Sequence, residues 1–279
     1  TMNSGWQNID YGGTGMINTM SGGQQTVKSG GAGTISTMSS GMQEISSGGT
    51  GTVVTMTSGE QNIYSDGTGT VSTMNDGGQY ITSGTGTIST MSGGYQEISS
   101  GTGTVSTMSG GEQNIYSGGT GTISTMSGGL QEISSGGMGT VSTLNGGSQI
   151  ISSGGTGTVD IMSGGMQEIV SGAGMISTMN SGLQNIRAGG TGTVSTLSGG
   201  SQSIDSGGTG TVSIMLDGPQ NYQIISSGGT GTVDIMSGGM QDISSGGTGT
   251  VNTMSGGGQR ISSGIGTCLL YTSPSPRDI

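Results

Sequence analysis

The residues able to do chemistry in this chain recur at fixed intervals, and that recurrence is the first thing to explain. Carboxylates stand just after a glutamine at Glu44, Glu97, Glu132 and Glu168. Acid/base catalysis needs two carboxyl groups held in different surroundings. Acids that return with the repeat predict instead a solvated row along one face, with repulsion relieved where Asn62, Asn114 and Asn185 take the same place. Glycine-rich stretches such as SGGTGT invite a phosphate-loop reading. They lack the Gly-Lys-Ser/Thr ending and recur in nearly every unit, so these glycines are read as corner residues. A calcium-binding β-roll needs aspartate in a glycine-rich nonapeptide, where these units carry Thr or Val and only Asp160 and Asp234 depart. With no histidine there is neither a Ser-His-Asp arrangement nor an imidazole metal ligand. The expectation is a protein that is not an enzyme, with no cofactor and no metal site. One array of another kind stands out: Thr-Gly-Thr is complete in ten of fifteen units, as at Thr50–Thr52 and Thr102–Thr104. Ranked on a flat face, such triplets resemble those of ice-binding solenoids, although Met16 and Met175 interrupt the second column.

The elements that position these residues follow from a ruler of glutamines. Gln7, Gln25, Gln43, Gln61, Gln79, Gln96, Gln113, Gln131, Gln149, Gln167, Gln184, Gln202, Gln223, Gln241 and Gln259 lie 18 residues apart, with 17 at three places and 21 at one. The long interval contains MLDGPQNYQII, an insertion around Pro219 that leaves the flanking pattern intact, as loop changes on a stack do. Ile or Val follows two residues after each glutamine (Ile45, Ile98, Ile133), Val or Ile usually eight later (Val53, Val105, Val141), and Met or Leu three beyond (Met56, Met108, Leu144). The place before the glutamine holds Tyr95, Glu112, Leu130 or Ser148, a tolerance that marks an outward position.

Short β-branched runs divided by Gly-Gly pairs read as strands with tight corners, and glycine at this density opposes helix. An 18-residue unit cannot bury its own apolar face, but stacked units can, each adding a rung about 4.8 Å high. The expected fold is all-β: a parallel β-solenoid of about 15 rungs over residues 1–267, a rod roughly 70 Å long, with Ile, Val and Met filling a narrow interior. Corner glycines then supply positive φ. The glutamines either stack as an amide ladder or satisfy corner backbone groups, and both remain open here.

Composition bounds the function. The 279 residues include 66 glycines, no phenylalanine and one tryptophan, and the net charge is −11. Only Lys28, Arg187, Arg260 and Arg277 are basic, which excludes a phosphate-neutralising patch for nucleic acid and disfavours anionic membrane surfaces. No apolar run reaches the length of a spanning helix, so no membrane insertion of this segment is expected. Cysteine is missing from residues 1–267, which fits an oxidising export route. The chain starts at Thr1, and it is read as cut at its N-terminus.

The phrase GGxQxIxSGG, followed by a Thr/Ser-rich second strand, resembles the strand-loop-strand passenger repeats of AIDA-type autotransporter adhesins of Gram-negative bacteria. The resemblance covers residues 1–267, although the family unit is typically a residue longer and often has alanine after GGT. It implies a right-handed β-helix, secreted or displayed at the cell surface, exported through a C-terminal outer-membrane barrel absent from this segment. It further implies adhesion, autoaggregation or biofilm formation, through host or bacterial surface receptors, glycans or self-association. A passive stalk presenting a distal domain is the alternative. Some relatives carry O-linked heptose on repeat serines, which implies a heptosyltransferase partner and points to Ser47, Ser100, Ser135, Ser153, Ser227 and Ser245. The other reading of these serines is a hydroxyl that caps its own turn.

The final stretch, residues 268–279, departs from the repeat. Cys268 replaces the valine due after Gly-Thr, and Cys268 to Asp278 match residue for residue the translation of a transposon adapter. This tail is read as non-native, and Cys268 as no thiol of the protein.

Overall fold

Alternation decides where the strands run. In Thr102–Met108 the glycine, valine and methionine turn inward while both threonines of the triplet turn outward; in Tyr95–Ile98 the glutamine and isoleucine share the inward side. Repeated along the chain, this makes an all-β parallel β-solenoid of about 15 turns, with no helix among the described residues. The structure, a computed structural model, describes residues 1–187 and 189–271; the part of the tail read as adapter-derived at 272–279 lies outside the described residues.

A typical turn has a seven-residue strand (Thr102–Met108), a Ser-Gly-Gly corner, a four-residue strand (Glu112–Ile115) and a second corner, Tyr-Ser-Gly-Gly. The chain divides into two compact units, Thr1–Val141 and Ser142–Ile279. In the first, Thr85–Met91, Thr102–Met108 and Thr120–Met126 pair in parallel, so that Ile88, Val105 and Ile123 stand in one column and Met91, Met108 and Met126 in another. The second unit repeats the arrangement with Thr209–Met215, Thr230–Met236 and Thr248–Met254. Ile98, Val105 and Met108 have no exposed surface. Each such side chain contributes about 1.5–3 kcal/mol, and three per turn suffice only because every turn is covered by its neighbours.

Two kinds of glycine stand at opposite extremes, which corrects the expectation that all are corner residues. Gly118 adopts φ 84° with nothing near the place of a Cβ, so conformation alone requires it. Gly103, in the middle of Thr-Gly-Thr, lies within a strand and faces inward. A Cβ there would sit 2.3 Å from Cδ1 of Ile98 and 2.6 Å from Oε1 of Gln96. The interior is already full at that level, and only a hydrogen fits.

At the end of the described chain, the strand Ile265–Tyr271 pairs with Thr248–Met254. Cys268 stands opposite Val251 and Tyr271 opposite Met254, all three tail residues from Leu269 on being exposed.

Candidate functional site

The glutamines form a ladder inside the solenoid. In the first unit each Nε2 donates to the Oε1 one turn back, from Gln25 onto Gln7 through Gln131 onto Gln113, at 2.6–2.7 Å. The second unit repeats this from Gln167 onto Gln149 through Gln259 onto Gln241. The second amide hydrogen turns to the backbone: Gln43 reaches the Gly33 carbonyl at 3.2 Å, and Gln241 the Thr250 carbonyl at 3.2 Å. The ladder reading therefore holds, and these backbone carbonyls lie in the strands Ala32–Ile45 and Thr248–Met254 rather than at corners. Gln43 through Gln113 are fully buried, so the ladder sets register and meets no ligand. Consecutive amide bonds in a dry interior also polarise and strengthen one another.

Chemistry that reaches solvent lies on the outward columns. After the glutamines the first unit presents, turn by turn, Glu44, Asn62, Tyr80, Glu97, Asn114 and Glu132. No two acids of that series are neighbours, so no carboxylate pair forms there. In the second unit Glu168 adjoins Asn185 and meets Arg187 at 3.1 Å, while Asp242 adjoins Arg260 and forms an ion pair with it. The Asp242 carboxylate raises the Arg260 guanidinium, first through the hydrogen bond between them and then by charge.

One aromatic contact was not foreseen. Tyr95 lies beside Gly78 in the column before the glutamine, and its ring fills the space a Cβ on Gly78 would enter, 2.6 Å from Cζ. Tyr80 meets it edge to face with centroids 5.2 Å apart, and the two hydroxyls are hydrogen-bonded. That bond, helped by burial, pushes the Tyr80 phenol upward. The signal was present in the sequence as a bare glycine where neighbouring units carry a side chain.

The threonine columns hold their register over long runs. Thr50, Thr68, Thr85, Thr102 and Thr120 stand one above another, with Thr52, Thr70, Thr87, Thr104 and Thr122 beside them. Thr191, Thr209, Thr230 and Thr248 form the corresponding run in the second unit. Met16 and Met175 fall in the second column, opposite Thr34 and Thr158 respectively.

Of the six serines singled out, all are exposed. Five adopt positive φ: Ser47 at 53°, Ser135 at 52°, Ser153 at 47°, Ser227 at 50° and Ser245 at 49°. Each is followed by a glycine also at positive φ, the two-residue pattern of a type I′ turn. The turn is closed by backbone, as where Gly137 N–H donates to the Ser134 carbonyl at 2.9 Å. The hydroxyls of these five donate to no protein group among the described residues, so they do not cap their turns. Ser100 differs because its corner is one glycine shorter; its hydroxyl donates to the Thr82 carbonyl of the turn before.

The insertion around Pro219 builds a corner unlike the others. Leu216 to Gln220 bulge outward before the strand Asn221–Ile225, and Asn221 takes the column place that Gly200 holds one turn earlier. Asn221 is 1% exposed; its Nδ2 donates to the Leu216 carbonyl at 2.8 Å, while its Oδ1 is buried without a hydrogen-bond partner.

Fold and surface together define a repeat β-solenoid whose interior is given to register and whose outward columns carry all the accessible chemistry. Comparison with protein-family models, with curated proteins and with solved structures finds no match.

Proposed function

We propose that the chain is a structural and adhesive surface element, a segment of a secreted autotransporter passenger that mediates adhesion, autoaggregation or biofilm formation at a Gram-negative cell surface. The observation that carries this is the register of the outward threonines: Thr85, Thr102 and Thr120 present the same group at each turn. Identical weak contacts repeated at fixed spacing gain avidity far beyond one contact. The partners are surface receptors or glycans, or a second copy of the chain. The resemblance noted in the repeat phrase supports the same reading, and it also makes the exposed hydroxyls of Ser47, Ser135, Ser153, Ser227 and Ser245, on positive-φ corners, the acceptors for an O-linked sugar.

The test is direct. Beads coated with the purified chain should adhere to cells or clump with one another, and beads that do neither sink the adhesive reading. The native protein should weigh more than its polypeptide; equality of the two masses removes the sugar.

A second reading is favoured by the column before the glutamines, which changes chemistry at every turn: Met42, Glu60, Gly78, Tyr95, Glu112. A passive stalk presenting a distal domain needs only a regular interior and tolerates such variety outside.

A further inference from the structure

The inserted corner of the second unit lines a cavity. A cleft of about 570 Å³ opens there, with Asp217 and Pro219 on the inserted side, Tyr222 and Met240 on adjoining strands, and Gly257 also in its lining. Asn221 lines it as well. The volume lies in the range of small-molecule sites, which are mostly apolar with a few polar groups that fix orientation.

Three observations converge on the kind of ligand. First, Asn221 lines the cleft although its buried, unpartnered Oδ1 costs about 1–3 kcal/mol, so this corner is not built for stability alone. The column's regular occupant is glycine, as at Gly200, which would carry no such cost. Second, the polar atoms that Asp217 offers are carboxylate acceptors, and one Asn221 Nδ2 hydrogen is already taken by the Leu216 carbonyl. Third, the Tyr222 ring, 37% exposed, stands beside the Met240 thioether in the neighbouring strand and offers a flat apolar wall. A ligand that suits this site has several hydroxyl donors and a face of C–H bonds. Anions are repelled by Asp217 and by the net charge of −11. A hard cation such as calcium needs six to eight oxygen ligands, far more than one carboxylate and one amide oxygen supply.

We infer that the Pro219 corner is a saccharide-binding site that takes a neutral hexopyranose unit of a glycan. Tyr222 packs on the sugar face and Asp217 accepts from adjacent hydroxyls, while Asn221 shapes the wall beside them. This assignment rests on the adhesive reading and names the ligand class for one part of that surface.

Saturation-transfer NMR on the full chain tests it, with the methyl glycosides of glucose, galactose, mannose and N-acetylglucosamine, and glucosamine as the cationic probe, each at about 10 mM. At least one neutral glycoside should show transfer. Tyr222→Ala should weaken that binding about tenfold or more. Asn221→Gly restores the residue of the regular column, so it should weaken binding while keeping the thermal midpoint at or above that of the parent chain. No transfer from any neutral probe, a response confined to glucosamine, or unchanged binding in both variants overturns the assignment. Adhesion of coated beads is scored separately. Adhesion without sugar binding overturns this site alone, whereas sugar binding without adhesion overturns the adhesive reading and leaves the site standing.

Discussion

The turns about Gln96 in the first unit are among the shortest in the chain, and the turn ending at Gln223 in the second is the longest. Gln79, Gln96 and Gln113 are spaced 17 residues apart, while Gln223 follows Gln202 by 21. Yet the ladder bonds measure 2.6, 2.6 and 2.7 Å, and Ile98 and Ile225 are equally buried. All of the difference in length is expressed at corners. The short turns have lost a glycine beside Ser83 and beside Ser100, and the long one has gained the Pro219 bulge. Register is therefore set from inside, by side chains that have no freedom to shift, and the corners absorb what is left over.

This contrast can be broken most sharply from within. Gln61→Leu strands the Gln43 Oε1 and the Gln79 Nε2 in a dry interior, and should cost about 2–5 kcal/mol in denaturant unfolding. A loss below about 1 kcal/mol would show that the backbone ladder alone holds register. The two kinds of glycine come next. Gly103→Ala drives a methyl into Ile98 and should cost about 1–3 kcal/mol, whereas Gly118→Ala meets only an unfavourable φ and should cost about 1 kcal/mol. Thermal melts in the reverse order would overturn the distinction. The smallest effect is expected where the chain is longest: replacing Leu216 to Asn221 by Ser-Gly-Gly should change stability by less than about 1 kcal/mol, because loop-closure entropy varies slowly with length. Collapse of the fold on that exchange would mean that the bulge supports its neighbours.

The three apolar columns were legible because Ile98, Val105 and Met108 keep their chemistry while everything between them varies. The side on which the glutamine falls was not, since an amide suits a buried ladder and a wet corner alike. Strand parity held the answer: Gln113 is two residues before Ile115, and Gly121 two before Ile123, so each must share the inward face of its partner. The serine corners were visible as a pattern, but their left-handed backbone and idle hydroxyls arise from how turns close, which composition does not encode. Least legible was the Pro219 cleft. An insertion announces a loop; whether it lines a cavity depends on Tyr222, Met240 and Gly257 meeting across three turns.

Because the ladder bond is the same across 17, 18 and 21 residues, the gene is free in a way most coding sequence is not. Duplicating or losing one whole unit leaves the flanking units with the partners they had before. Copy number can then drift under recombination, or be selected, without any refolding of what remains, so that reach becomes a heritable quantity counted in repeats.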